Sequence, residues 1–346
     1  MPTILDTPPA AVQRDLTSLS AALDGQIPSK RDDNLLLATW NIRSFASLTR
    51  KWTASGRDSP KRDLRGLRAI IEILSRFDVI AIQELKGDLR ALRDTMQFLG
   101  EDWGFLMTDV TIGDAGNNER LAFIFHRSRV RPSGMAGELV VPPERLDVLH
   151  EDSLREQFAR TPYVVSFQRG NATFILVTLH ILFGDVKADR IPELKEIADL
   201  FRDWARRTNR YHHNLLCLGD FNIDREGSPL FDALTSTGLT IPDELRNLPR
   251  TVFDDPDDPF DKFYDQIAWF RSGREALIDL AVSGGGNFDF QPHVYHDTNL
   301  SRASMSSGAS AIRSWRRDTS KATSSGPPGL RCARGRPGSP GLPSSR

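Results

Sequence analysis

Four apolar runs of strand length, NLLLATWNI (34–42), DVIAIQE (78–84), ATFILVTLH (172–180) and NLLCLGDFN (214–222), each carry a carboxamide, carboxylate or imidazole side chain at the last position or, for Asn41, the one before it. Apolar residues in succession, rather than in alternation, mark strands covered on both faces. Between the first two runs lies SPKRDLRGLRAIIEILSRF (59–77), where Ser59 precedes Pro60 and Leu64, Leu67, Ile70, Ile71 and Leu74 recur at helical spacing. Between the last two lies a second helical stretch, DRIPELKEIADLFRDWARRT (189–208). GDLRALRDTMQFLG (87–100), closing on Gly100, and SPLFDALTSTG (228–238) read as further helices. WGFLMTDV (103–110), ERLAFIFH (119–126) and YVVSF (163–167) read as strands with no helix between them, and YDQIAWF (264–270) is the last strand. A strand–helix–strand unit needs a crossover and pairs in parallel, whereas consecutive strands pair antiparallel. The chain therefore reads as α/β with mixed sheets.

The bulk properties narrow the class. At 346 residues and 39% hydrophobic content the chain can bury a large core. Its first 20 residues hold no apolar block of the length a secretory signal needs, and no stretch has the roughly 18 successive apolar residues of a membrane helix. Two cysteines, Cys217 inside an expected buried strand and Cys332, make no disulfide framework. These features predict a soluble, cytoplasmic protein that does not engage a membrane, and no obligate protein partner is indicated. The net charge of −1 conceals an asymmetry: residues 301–346 hold nine Lys or Arg against Asp318 alone, leaving the first 300 residues at −9. An acidic body disfavours tight salt-dependent binding of nucleic acid unless a bound cation supplies the missing positive charge. Residues 1–33 read as a polar, loosely docked N-terminal arm, 34–300 as one domain, and 301–346 as a tail. Ser, Gly and Pro make up 23 of the 46 tail residues without apolar periodicity, which predicts disorder.

Open α/β sheets bind ligands at strand ends. Asn41, Glu84, His180, and Asp220 with Asn222 close four expected strands, and Asp265 opens the last. Each has an ordinary structural reading. Asn41 suits a turn, Glu84 a solvated strand end, His180 a hydrogen-bonded core position, and Asp220 with Asn222 an Asx turn. A continued strand would instead put Asp220 and Asn222 on one face.

Taken together, TWNI (39–42), IAIQE (80–84), TLH (178–180), LGDFN (218–222) and YDQI (264–267), in this order, resemble the endonuclease/exonuclease/phosphatase superfamily of deoxyribonuclease-like phosphoesterases. The resemblance covers roughly residues 34–290. NERLAFIF (118–125) and FARTPYVVSF (158–167) look like further elements of it. It implies a four-layer α-β-β-α sandwich of two mixed sheets flanked by helices, and Mg²⁺-dependent (or Mn²⁺-dependent) hydrolysis of a phosphodiester, with DNA the expected substrate. Asn41 and Glu84 would hold the metal through hard oxygen ligands. Asp220 would orient or deprotonate water, Asn222 would donate to the phosphorane, and His180 would serve a non-bridging oxygen or the leaving group. Arg120 would contact a phosphate.

One departure stands out. In the resembled enzymes Asp265 would orient a histidine from a C-terminal Ser-Asp-His, and that motif is absent; His293 and His296 are the only later histidines, and neither follows Ser-Asp. Codons for Ser307–Ile312 can be chosen so that a shifted frame reads Trp-Arg-Ile-Ser-Asp, although the next codon in that frame cannot encode histidine. This suggests a frameshifted tail and an incomplete C-terminal strand. The alternatives are a phosphatase or lipid phosphodiesterase of the same superfamily, or a catalytically impaired relative. RSFASLTRKW (43–52) and RTNRYHH (207–213) are candidate basic and aromatic rims for nucleic acid, and equally candidates for ordinary solvated surface.

Overall fold

The computed structural model describes residues 1–111, 117–140, 158, 160–181, 191–211, 213–223, 226–246, 248, 264–272, 275–295 and the backbone of 309–317. Two sheets stack face to face. The first runs β12 (Leu280–Phe288), β13 (Ala309–Arg317), β1 (Leu35–Phe45), β2 (Val79–Lys86), β4 (Glu119–His126), β3 (Trp103–Met107). The second runs β11 (Glu275–Ala276), β10 (Asp265–Ser272), β8 (His213–Asp220), β7 (Ala172–His180), β6 (Tyr163–Arg169), β5 (Arg131–Glu138), with the short β9 (Leu239–Thr240) on β10. Each sheet has one parallel pair at its centre, β1/β2 and β7/β8, and antiparallel neighbours on both sides. Helix α2 (Leu64–Leu74) joins the first parallel pair, and α4 (Ile191–Asn209) the second.

Alternation along β1 sorts its residues between two cores. Leu35 and Leu37 face the second sheet and share a core with Phe123, Phe125, Phe167 and Phe174, while Leu36, Ala38, Trp40 and Ile42 face outward with α2 and α3 (Arg90–Leu99). On the far side Leu194, Ile197, Phe201 and Ala205 of α4 and Leu230 and Leu234 of α5 (Pro229–Thr235) cover the second sheet. Four layers result, as the resemblance implies. Asp63 caps α2 by accepting from Gly66 N, and Ser228 caps α5 ahead of Pro229. Among the described residues no helix is long and apolar enough to cross a membrane.

Two segments differ from expectation. Residues 10–26, expected to be part of a loose polar arm, form helix α1 (Ala10–Gln26), which buries Val12 and packs Leu19 and Leu23 into the first sheet's helical layer. Asp15 of this helix makes a buried ion pair with Arg65 of α2 at 2.7 Å. The i, i+4, i+7 spacing of Val12, Leu16, Leu19 and Leu23 carried that information, and the flanking prolines masked it. In the tail expected to be disordered and to lack a closing strand, Ala309–Arg317 form β13, seated antiparallel between β12 and β1. A position inside the sheet supplies both edges of that segment with backbone partners, whatever its composition. The rest of the tail lies outside the described residues.

Candidate active site

Because β1/β2 and β7/β8 are parallel pairs joined by crossovers, all four strands end at the same edge of the sandwich. Asn41 lies beside Gln83 in the first sheet, and His180 beside Asp220 in the second. Antiparallel β10 begins there, pairing Asp265 with Asp220. Asn41 shares the inward face of Leu35, Leu37 and Thr39, so it points into the gap between the sheets. Its Nδ2 donates to Glu84 Oε1 and to Asp220 Oδ2, both at 3.0 Å. Two carboxylates from different sheets thus face one another across a single amide.

Glu84 reaches this gap by a local exception. Val79, Ala81 and Gln83 point inward, and strict alternation would turn Glu84 outward with Ile80 and Ile82. Glu84 instead adopts φ 61°, at an irregularity in the β2–β4 pairing between Ile82 and Leu85. Left-handed backbone on a non-glycine residue is held only where its surroundings fix it. Here Ser44 N donates to Glu84 Oε2 at 2.9 Å. Beneath the site, Gln83 Nε2 donates to Thr178 Oγ1 at 2.9 Å, a buried polar tie between the sheets. Gly219 is required by close approach: its φ is 151°, and a Cβ there would lie 2.0 Å from the Leu179 carbonyl oxygen.

Asp220 is anchored on both sides. Its Oδ1 accepts from Asn222 N at 3.0 Å, and Asn222 at φ 49° turns away from the strand to donate through Nδ2 to Ile181 O at 2.7 Å. The two residues therefore form a tight Asx-type turn rather than one strand face.

His180 sits with Nδ1 2.8 Å from Glu119 Oε2 and Nε2 3.9 Å from Asp220 Oδ2. Glu119 also meets Arg160 Nε at 2.8 Å and Lys86 Nζ at 2.9 Å. Burial opposes ionisation of Glu119, but His180, Arg160 and Lys86 outweigh it and hold the carboxyl down at about 2. Its folded value lies below the ordinary carboxylate value of 4.5, so this stabilisation is complete above that pH and fades as pH falls towards 2. We expect Glu119→Gln to cost on the order of 2 kcal/mol at neutral pH and to flatten the loss of thermal midpoint between those values. Parallel acid titrations of both proteins followed by circular dichroism check this, and superimposable curves would refute it.

Asn41, Glu84, His180, Asp220 and Asp265 thus come together, with Asn222 behind Asp220. Arg120 does not join them. It shares the outward face of Ala122 and Ile124, and its Nη1 donates to Lys86 O at 3.2 Å. Its neighbour Glu119 takes the inward face with Leu121, Phe123 and Phe125. Sequence reading missed Glu119, Lys86 and Arg160. The signal available was parity, since Glu119 continues the inward series of ERLAFIF where Arg120 cannot. The described residues of RTNRYHH, 207–211 and 213, lie at the opposite end of β8, a strand length of roughly 23 Å from Asp220, so they are no rim of this site. RSFASLTRKW (43–52) lies at the correct end, with Arg43 exposed beside Asn41.

No group of three or more His, Cys, Asp or Glu side chains gathers as a metal cage among the described residues. The donor set still fits Mg²⁺ or Mn²⁺. These ions take one or two carboxylates and keep waters for the remaining positions, and here the Glu84 and Asp220 carboxylates meet across the Asn41 side chain, whose Oδ1 accepts from Arg43 N.

A family model described as the Endonuclease/Exonuclease/phosphatase family matches residues 38–302. A deoxyribonuclease of Thioalkalivibrio sp. (strain K90mix) is 30% identical over 203 residues, covering 57% of this chain and 48% of its own length. Deoxyribonuclease-1 of Canis lupus familiaris is 23% identical over 215 residues, covering 60% and 64%. The chain thus spans less than two thirds of either curated relative. Among solved structures, a mannosyl-6-phosphatase of Bacteroides thetaiotaomicron aligns with a TM-score of 0.53 at 17% identity, over 80% of this chain and 98% of that one. The human Nocturnin catalytic domain gives 0.53 at 13%, over 88% and 98%. D. rerio TDP2 complexed with a single-strand DNA product gives 0.52 at 12%, over 82% and 99%. At these identities the structures attest the fold.

Proposed function

The chain belongs to the endonuclease/exonuclease/phosphatase family, and from that premise we propose that it is a divalent-metal-dependent phosphodiester hydrolase acting on DNA. The observation that carries the reading is the Asn41 amide held 3.0 Å from both Glu84 and Asp220 across the two sheets. Asn41 and Glu84 would hold Mg²⁺ or Mn²⁺, which when bound offsets negative charge on the phosphate oxygens. Asp220, fixed by Asn222 N and Asn41, orients the attacking water and takes its proton. His180 Nδ1 lies 2.8 Å from Glu119 Oε2, and its Nε2, on the Asp220 side, is the nitrogen that would serve a non-bridging or leaving oxygen. Arg160 is buried, and its Nη1 lacks a hydrogen-bond partner among the described residues, a donor suited to a phosphate oxygen. Asn222 has spent a donor on Ile181, so its part is to hold the Asp220 turn. DNA is favoured over other phosphoesters by the 30% identical relative, itself a deoxyribonuclease, and by exposed Arg43 at the mouth.

A second reading, an impaired relative, has its own observation. The family match stops at residue 302, and among the described residues no histidine besides His180 reaches the site; His293 is engaged by Ser18 Oγ at 3.2 Å and stacks on Phe288. If Ile312–Trp315 are encoded ATC CGA TCA TGG, a one-base shift reads TCC GAT CAT, which is Ser-Asp-His. The test is cleavage of plasmid DNA and of bis(nitrophenyl) phosphate with Mg²⁺, Mn²⁺ or EDTA, for the chain as it stands and for a frame-restored version. Turnover by either supports phosphodiester hydrolysis, and turnover by the restored version alone supports the second reading. Inertness of both folded proteins on every phosphoester refutes the function.

A further inference from the structure

Arg62 is buried although it belongs to none of the elements that end at the site. Its guanidinium donates to three successive carbonyls, with Nη2 to Ile42 O at 2.7 Å and to Arg43 O at 2.8 Å, and Nη1 to Ser44 O at 2.6 Å. Those residues are the turn directly after Asn41. Arg43 and Ser44 stand at φ 33° and 51°, both left-handed and neither glycine. Ser44 N is in turn the donor that meets Glu84 Oε2, while Arg43 N donates to Asn41 Oδ1 at 2.9 Å. One planar fork therefore grips the segment whose backbone N–H groups set both Asn41 and Glu84.

We propose that Arg62 is a positioning residue for the cation site: by gripping the carbonyls of 42–44 it holds the left-handed turn that aims Asn41 and Glu84. The proposal rests on the reading that these two residues hold a divalent cation. An arginine suits the task because a planar guanidinium presents several N–H groups in fixed directions, whereas a lysine ammonium is a single point and cannot reach three carbonyls in this arrangement. Its place is secured from behind. The neighbouring Asp63 accepts from Tyr295 Oη at 2.7 Å and from Ala54 N at 2.8 Å, and the Arg62 guanidinium lies 5.6 Å from the Phe45 ring centroid. Burial lowers the ionisation of Arg62 to about 10, with Glu84 among the groups that pull it back up, so the guanidinium stays charged at neutral pH.

The probe is Mn²⁺ alone, with free ion read by electron paramagnetic resonance and the thermal midpoint measured separately in EDTA. Glu84→Ala establishes the site. Arg62→Lys is compared with Arg65→Lys, another buried arginine, whose guanidinium pairs with Asp15 of α1. We expect Arg62→Lys to weaken Mn²⁺ at least tenfold and Arg65→Lys to leave it unchanged at a comparable loss of midpoint. Adding Ser44→Gly, which relaxes the left-handed residue and keeps its N–H, should recover part of the lost affinity in the Arg62→Lys background. If Arg62→Lys does not fold, Arg62→Gln takes its place in the same comparison. Wild-type Mn²⁺ affinity in the Arg62 variant, or equal losses in both arginine variants, overturns the positioning role alone. Absence of Mn²⁺ binding by the wild type, or binding indifferent to Glu84→Ala, overturns the proposed cation site and this inference with it.

Discussion

Asp220→Ala is expected to lower kcat for phosphodiester cleavage at least 10²-fold, and towards 10⁴-fold, with KM little changed and the chain still folded. General-base groups contribute on that scale. The reason to expect a kcat effect lies in the geometry. Asp220 ends a rigid parallel strand, its Oδ1 is fixed by Asn222 N, and its Oδ2 lies 3.0 Å from Asn41 Nδ2 and 3.9 Å from His180 Nε2. Such a carboxylate is placed to act on a reacting water rather than on remote parts of a substrate, so its loss falls on the transition state. Removal also frees one buried bond between the sheets, a cost of about 1 kcal/mol that a folded domain of this size tolerates. Asp220→Asn separates the two effects, because it keeps an acceptor for Asn222 N and loses the base. Steady-state kinetics on bis(nitrophenyl) phosphate, with circular dichroism as the folding control, decide the matter. Substantial turnover by a folded Asp220→Ala protein would remove Asp220 from the chemistry.

The strand ends were legible in the sequence because two local rules sufficed. Apolar runs fixed the buried strands, and the order of strands and helices fixed which pairs are parallel, which sends Asn41, His180 and Asp220 to one edge. Alternation even predicts their faces, since Asn41 follows Leu35, Leu37 and Thr39 inward. Glu84 was located for the wrong local reason: period-two counting points it outward, and only the left-handed backbone at that residue returns it to Asn41. No composition rule announces such a conformation on a glutamate. Arg120 failed in the opposite way, because a basic residue beside a family-like motif attracted attention that parity would have directed to Glu119. Helix α1 was obscured by prolines at its flanks. Its Asp15 reaches Arg65 across about fifty residues of sequence, a contact that no local window contains. Arg62 was invisible for the same reason, since its role lies in three carbonyls that sequence cannot place.

Deleting residues 301–346 is expected to abolish cooperative folding or leave an aggregating protein, whereas deleting only 318–346 should keep the thermal midpoint within a few degrees. The basic Ser/Gly/Pro composition predicts disorder, but the tail's described part is an internal strand. β13 pairs on one side with β12 from Leu280↔Arg317 to Phe288↔Ala309, and on the other with β1 from Leu35↔Trp315 to Thr39↔Ser310. Its removal orphans two rows of backbone donors and acceptors at once and leaves β12 with no pairing to the first sheet. Each lost backbone hydrogen bond removes roughly 0.5–1.5 kcal/mol net, so two rows of them together are comparable with the roughly 5–15 kcal/mol by which a domain is stable. The exposed edges of β1 and β12 would also be open to pairing with other chains. Because β1 carries Asn41, the site would suffer with the sheet, and a truncation at 300 would be inert for lack of a fold rather than of a catalytic group. Thermal melts and size-exclusion profiles of the two truncations, measured side by side, test this. A 301–346 deletion that is monomeric with the parent midpoint would show that β13 contributes nothing to the sheet.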